Sequence, residues 1–257
     1  MKFKEIQVVK IGSQALFRDE KKLDFNRIDD LCISLRNLRD KHRIMSIVIT
    51  SGAVSLGKQL VNLENVKDGI LRDQMYACVG QPELMRLYSM TLGEEVAQLL
   101  PTHSILNNRD HHQKIGKMLL SLINVGTFPI INYNDSVDDA EMTQVSSYTD
   151  NDKVAEEIAA IVNAKRLVLL TTVDGVFDKK GEIIERVNGT YTFKDIKKFC
   201  SSKNDKGTGG MISKVVTAEK LKEKGIETIV GNAKYPLEFL LEGKDKNEHK
   251  IPRTVFK

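Results

Sequence analysis

Cysteine is scarce in this chain. Cys32, Cys78 and Cys200 are the only three in 257 residues, widely spaced and without a CxxC pair. That pattern excludes a disulfide framework and a zinc knuckle, and it points to a reducing compartment. No apolar run approaches the roughly 18–20 residues that a membrane span requires. Residues 1–11 contain Glu5, Gln7 and Lys10, so they lack the continuous apolar core of a secretory leader. An excess of one charge sign is also missing: 39 Lys and Arg against 35 Asp and Glu leave +4, too little to imply nucleic acid without a patterned basic face. The expectation is a cytoplasmic chain with neither membrane nor nucleic acid as partner. What is present is an ordinary globular balance, 41% hydrophobic and 29% charged. A chain of this length can bury about 70–75% of its unfolded surface and needs no covalent staples.

Short β-rich runs alternate with longer helical patterns. Strands are predicted at 6–11, 44–50, 101–106, 128–132, 166–172, 227–231 and 254–256. Helices are predicted at 26–42, 70–98, 113–124, 150–163, 207–225 and 236–242, the second broken near Gly80-Gln81-Pro82 because proline lacks the donor. A turn at Lys180-Gly181 makes 173–187 a small hairpin. Strands alternating with helices predict an α/β fold with a mainly parallel sheet covered on both faces. No linker, repeat or low-complexity tract interrupts the chain, so one domain with two lobes is expected, about 1–165 and 166–257.

Two strings could cradle phosphate. Residues 52–58, Gly-Ala-Val-Ser-Leu-Gly-Lys, match the first seven places of a P-loop, but the eighth is Gln59 where a magnesium-binding hydroxyl belongs. The better candidate is Gly207-Thr208-Gly209-Gly210-Met211-Ile212-Ser213-Lys214, which opens a helix. Its free N–H groups and dipole favour an anion, and Lys214 lies about one turn inside. Lys10 interrupts an otherwise apolar strand just before Gly12-Ser13, where burial demands a negative partner. Ligands of open α/β sheets collect at that carboxyl edge. Asn132-Tyr133-Asn134-Asp135-Ser136 and Asp150-Asn151-Asp152-Lys153 flank a polar segment that reads as turns or as a binding loop. Within it, Asp139 and Glu141 read as solvated, as does Asp138. His111 and His112 lack metal-ligand spacing and no protein metal site is expected. Lys220, Lys222 and Lys224 read as a solvated face, and Met75, Met85, Met90 and Met118 as core filler.

Taken in order, Val9-Lys10-Ile11-Gly12-Ser13, Thr50-Ser51-Gly52-Ala53, Gly80-Gln81, Asn132 to Asp135, Asp150 to Lys153 and Gly207 to Lys214 make the chain resemble the glutamate-phosphorylating branch of the amino acid kinase family. The resemblance covers about 5–256. It implies a three-layer α/β/α sandwich that converts L-glutamate and ATP, with Mg²⁺, to L-glutamyl 5-phosphate, the first step of proline synthesis. It implies phosphate contacts and catalytic roles for Lys10 and Lys214, organised by Asp152. Glutamate contacts would come from Ser51, Gly52, Ala53, Asp135 and Asn151, with Asn132 beside them. Nucleotide contacts would come from Lys10, Gly12, Ser13, Thr171, Thr172 and the run Thr208, Gly209, Gly210, Met211, Ile212, Ser213 and Lys214. It further implies feedback by proline and a homo-oligomer. Departures are Ser13 where the family usually has threonine, Val154-Ala155-Glu156 after the Asp-Asn-Asp string, and a short segment after Thr172 that leaves the adenine contacts undefined. Many relatives add a C-terminal PUA domain, and the chain is expected to be a form without it.

The chemistry suits these residues. A γ-carboxylate, with a reference pKa of about 4.3, is already ionised at neutral pH and needs no general base. The obstacle is repulsion between two anions, which cations and positioning overcome. Acetylglutamate, carbamate or a nucleoside monophosphate are alternative acceptors. A P-loop NTPase built on Lys58 and a non-catalytic nucleotide-binding protein are the remaining alternatives.

Overall fold

The computed structural model describes residues 2–18, 22–138, 150–187, 191–201 and 210–257. In chain order the strands are β1 (Glu5–Ile11), β2 (Phe17–Arg18), β3 (Lys22–Leu23), β4 (Ile44–Ile49), β5 (Ala97–Leu99), β6 (Pro129–Ile131), β7 (Arg166–Thr171), β8 (Arg186–Val187), β9 (Glu227–Asn232) and β10 (Arg253–Phe256). The helices are α1 (Ser13–Leu16), α2 (Phe25–His42), α3 (Ala53–Leu60), α4 (Gly69–Leu92), α5 (His103–Asn107), α6 (Arg109–Asn124), α7 (Asp150–Ile161), α8 (Phe193–Ser201), α9 (Met211–Glu223) and α10 (Leu237–Glu242).

β1 is the axis of the sheet, pairing in parallel with β4 on one side and β7 on the other. The full order is β5-β6-β4-β1-β7-β9-β10-β8, with β2 and β3 forming a separate ribbon. Neighbours from β5 to β9 are all parallel, and β10 turns antiparallel to β9. Helices α2, α4 and α10 pack together on one face, while α6, α7, α8 and α9 form the other layer. This is the expected α/β/α sandwich. Both faces of the inner strands are covered, so Val8, Val9 and Ile11 of β1 and Met45, Ile47, Val48 and Ile49 of β4 have no exposure. Each such side chain contributes about 1.5–3 kcal/mol. Gln7 breaks the apolar run at no cost in unmet bonding on its amide nitrogen, which donates to Ser46 Oγ at 3.0 Å, its register partner on β4.

Chain order reverses about β1: β4 lies to its left and β7, from the later half, to its right. Loops leaving the carboxyl ends of β1, β4 and β7 therefore part on the same edge, which opens a crevice there.

Several sequence expectations are corrected. The helix expected to break near Pro82 runs unbroken from Gly69 to Leu92 and ends at Gly93 in the left-handed region. Pro82 and Cys78, whose carbonyl the proline cannot serve, are both exposed, so water can take the missing bond. Gly80 explains the rigidity: a Cβ there would sit 1.9 Å from the Ala53 carbonyl, so α4 lies against α3 at backbone distance. The strand expected at 101–106 is instead the short α5, and the edge strand is β5, just before it. Met75, Met90 and Met118 are exposed; of the four methionines read as filler, Met85 packs against the core. Lys220 is not simply solvated, since it pairs with the buried Glu156 at 3.2 Å. The ribbon of β2 and β3 and helix α8 had no sequence signal that we used. Among the described residues no helix is long and apolar enough to cross a membrane.

Candidate active site

Lys10 lies on β1 one residue before its end and is 4% exposed. Its ammonium meets Asp152 Oδ1 at 2.7 Å. Lys214, in the first turn of α9, meets the other oxygen of the same carboxylate at 3.2 Å. Ser213 donates to that second oxygen at 2.9 Å. Asp152 has no exposure at all. Burial alone would push its carboxyl up, but Lys10, then Lys214, with the Lys10 and Ser213 hydrogen bonds, hold it well below the usual carboxylate range. Two ammonium groups on one carboxylate leave the cluster with a net positive charge.

Helix ends add to that field. α1, α3 and α9 begin at this edge of the sheet, and none of the three carries a side-chain cap on its first N–H groups. α4 and α6 are capped by Asp68 and Asn108, whereas α2, α5 and α10, which also start elsewhere, carry no side-chain cap, so it is the convergence of the three starts that marks this edge. Open N–H groups at three converging helix starts suit an anion. Gly52 makes one of these starts possible. Its φ is +105°, and a Cβ would lie 2.5 Å from the Phe17 ring, so only glycine turns the chain here.

Beside the lysine pair runs a chain of amides. Asn151 Nδ2 donates to Ser51 Oγ at 3.0 Å and to Asn132 Oδ1 at 3.3 Å. The Tyr133 N–H serves Asn132 Oδ1 at 2.9 Å and Asn151 Oδ1 at 3.3 Å. Asn132 Nδ2 in turn donates to Gln81 Oε1 at 2.8 Å. The Thr50 hydroxyl, bonded to the Tyr88 hydroxyl at 2.9 Å, anchors the strand end that carries Ser51.

Of the residues picked from sequence, Lys10, Gly12, Ser13, Ser51, Gly52, Asp135, Asn151, Thr171, Thr172 and Lys214 line a single cleft of about 360 Å³. Asn132, Asp152 and Ser213 are buried and act on that lining through the bonds above, and Ala53 is buried at the start of α3. Gly210, Met211 and Ile212 are half-buried at the start of α9. Thr208 and Gly209, like Asp139 and Glu141, lie outside the described residues. The cleft is also lined by Gln14, Val54, Ser55 and Asp73, which sequence reasoning missed. Gln81 was quoted in a motif but given no role; a buried amide on the same helical stripe as Ala77, Leu84 and Tyr88 was the signal that could have found it. Lys58 does not line the cleft, and pairs with Asp73 at 3.0 Å.

A profile of the amino acid kinase family matches residues 5–232. The chain belongs to the amino acid kinase family. It is 32% identical over 248 residues to the glutamate 5-kinase of Lactococcus lactis subsp. lactis strain IL1403, covering 93% of this chain and 92% of that one. The glutamate 5-kinase of Streptococcus uberis is 30% identical over the same shares. Among solved structures, carbamate kinase from Giardia lamblia bound to AMP-PNP superposes with a TM-score of 0.63 at 14% identity, over 98% of this chain and 99% of that one. UMP kinase from Ureaplasma parvum gives 0.58 at 17% identity over the same shares. At those identities the two structures bear on the fold alone. The fold and the family define a kinase, a phosphotransferase for which ATP use is implied.

Proposed function

We propose that the cleft transfers the γ-phosphoryl group of ATP to the γ-carboxylate of L-glutamate, yielding L-glutamyl 5-phosphate, the entry step of proline synthesis in the cytoplasm. The observation that carries this reading is the pair of buried ammonium groups on Asp152. Carboxylate attack on phosphate needs cations aimed at the transferring group more than an acid or base. Lys10 and Lys214 take the catalytic roles, and Asp152 holds them apart and aimed. Thr171, Thr172 and the residues from Thr208 to Lys214, in the part from about 166 onward, hold the nucleotide together with Gly12 and Ser13 of the first part. Ser51, Gly52, Ala53, Asn132, Asp135 and Asn151 hold glutamate, with Asp135 opposite the α-ammonium. Among the described residues no three His, Cys, Asp or Glu side chains converge on a metal cage. Mg²⁺ carried by ATP would instead be held through phosphate oxygens and water, and would supply charge neutralisation for transfer.

Names of the relatives support glutamate over the other acceptors of the family. The exposed stripe Leu71, Met75, Val79 and Met90 along α4 supports a homo-oligomer, since apolar patches of that kind mark contact surfaces. Proline, which shares the α-carboxylate and an α-nitrogen cation with glutamate, would compete at the acceptor end. The test is hydroxylamine trapping of the acyl phosphate formed from ATP, Mg²⁺ and glutamate, run beside acetylglutamate, carbamate and UMP as acceptors. Hydroxamate from glutamate alone is expected. ADP release with another acceptor and none with glutamate would overturn the assignment.

A further inference from the structure

Behind the cleft, between α4 and the ends of β5 and β6, lies a second cavity of about 330 Å³ whose lining includes Gln81, Asp135, Tyr133 and Cys78. Gln81 is 8% exposed, and its Nε2 is fully buried with no hydrogen-bond partner among the described residues. The orientation of that amide follows from its neighbours. The Tyr133 N–H can only donate, so the Asn132 oxygen must face it. The Asn132 nitrogen then faces Gln81 and needs an acceptor, which fixes Gln81 Oε1 on that bond and leaves Nε2 unpaired, in a side chain that lines the cavity wall. A flipped Gln81 would set two N–H groups against each other. This buried donor thus has no acceptor among the described residues, a state that native proteins rarely keep without a partner from outside.

Asp135 lines both this cavity and the cleft. A ligand passing Asp135 can therefore have one end at the lysine pair and the other beside Gln81. We propose that Gln81 Nε2 donates to the α-carboxylate of the acceptor amino acid, making this cavity the compartment for its α-carbon end and Gln81 a specificity-determining residue. The proposal rests on glutamate being the acceptor. The γ-carboxylate then faces Lys10 and Lys214 while the α-ammonium passes the Asp135 carboxylate. An acceptor without an α-carboxylate leaves Gln81 as it stands, with its donor unmet.

The probes are L-glutamate and 4-aminobutanoate, which is glutamate without its α-carboxylate. Gln81→Leu should raise the KM for glutamate roughly 10- to 100-fold, as expected for losing a hydrogen bond to a charged group, with the KM for ATP unchanged. The Ki of 4-aminobutanoate as a competitor of glutamate should shift less than about twofold. A residue that only props the fold would weaken both ligands alike. Gln81→Glu covers the case in which the leucine variant misfolds, because it keeps an acceptor for Asn132 and replaces the donor by an oxygen; it should lose glutamate selectively. A readout independent of turnover is available in Cys78, an exposed thiol on the cavity wall. Alkylation of Cys78, resolved by peptide mass, should slow with saturating glutamate and not with 4-aminobutanoate. Equal shifts for both ligands, an unchanged glutamate KM in Gln81→Glu, or no protection of Cys78 would leave water as the only occupant and overturn the proposal. If wild-type protein does not phosphorylate glutamate, the proposed reaction fails instead, a result distinct from these.

Discussion

Two glycine-led helices in this chain each carry a lysine a short way past the glycine, and the structure sends those lysines to opposite fates. In α3 the string from Gly52 to Lys58 leaves Lys58 with half its side chain exposed, 50%, paired with Asp73 and with its ammonium 5.6 Å from the centre of the Tyr76 ring. In α9 the string from Gly210 to Lys214 brings Lys214 to 10% exposure against Asp152. Helical phase makes the difference. Lys214 is the fourth residue of α9, on the face turned to the sheet, between buried Ser213 and Val215. Lys58 is the sixth residue of α3, beyond buried Leu56 and Gly57, and projects outward where α3 meets α4. Where Lys58 sits, Gly57 instead faces the neighbour: a Cβ at Gly57 would come within 2.0 Å of the Tyr76 carbonyl. In α3 the second glycine of the P-loop-like string serves helix packing.

The largest effect expected from this contrast is at the shared carboxylate. Asp152→Asn leaves two buried ammonium groups facing each other, and stability at pH 7 should fall by about 3–5 kcal/mol in chemical denaturation, the scale for breaking a buried pair. The pH dependence follows from the sign of the shift. Burial opposes ionisation of Asp152, but Lys10 and Lys214 outweigh it and lower the folded pKa. Its contribution is therefore complete above the unfolded value of about 3.9 and is lost as pH falls through the lower folded value. The gap between wild type and Asp152→Asn should hold from pH 8 to 5 and close only in stronger acid. A gap that closes near neutrality would mean that the lysines do not govern this carboxylate.

Next in size are Lys10→Ala and Lys214→Ala. In the proposed reaction each removes a cation that would meet the transferring phosphoryl group, and kcat should fall by about 10²- to 10³-fold, read by ADP release from a folded variant. Turnover within a few-fold of wild type in either would remove that lysine from the catalytic role.

Much of this is legible in the sequence itself. Lys10 in an apolar strand demanded a buried anion, and the structure supplies Asp152. Strands at 6–11, 44–50, 166–172 and 227–231 were legible because parallel strands buried on both faces read as unbroken apolar runs. The errors came where a local rule met a tertiary contact. Pro82 argued for a break, yet the backbone-distance packing of α3 on α4 at Gly80 keeps the helix whole. Ile105-Leu106 is too short a run to separate strand from helix, and it belongs to α5. The methionines of α4 and α6 were read by hydrophobicity, although residues 75 and 90 fall on the outward stripe of their helix. Of the cleft, the charged floor was visible as motifs, while Gln14, Val54, Ser55 and Asp73 were not, because each lies on a helix whose orientation only the fold decides.

The smallest effect should be that of Lys58→Ala, and it is the sharpest check on the comparison. If the Gly52 string were a phosphate loop, Lys58 would be its phosphate ligand, and its loss would match that of Lys214→Ala. In the structure Lys58 meets Asp73 across a partly solvated gap, with exposures of 50% and 34%, where an ion pair is worth about 0–1 kcal/mol. Asp73 also lines the cleft, so removing Lys58 leaves a carboxylate nearer to being uncompensated beside the bound anions. That added negative charge acts through solvent and salt, on ground state and transition state alike, and so bears on KM for ATP more than on kcat. Lys58→Ala should change kcat by less than about twofold and raise the KM for ATP by no more than a few-fold at low salt, with the difference vanishing in 0.5 M salt. Measured beside Lys214→Ala under the same conditions, a matching loss of kcat would show that the lysine of α3, and not its depth in the fold, decides phosphate binding.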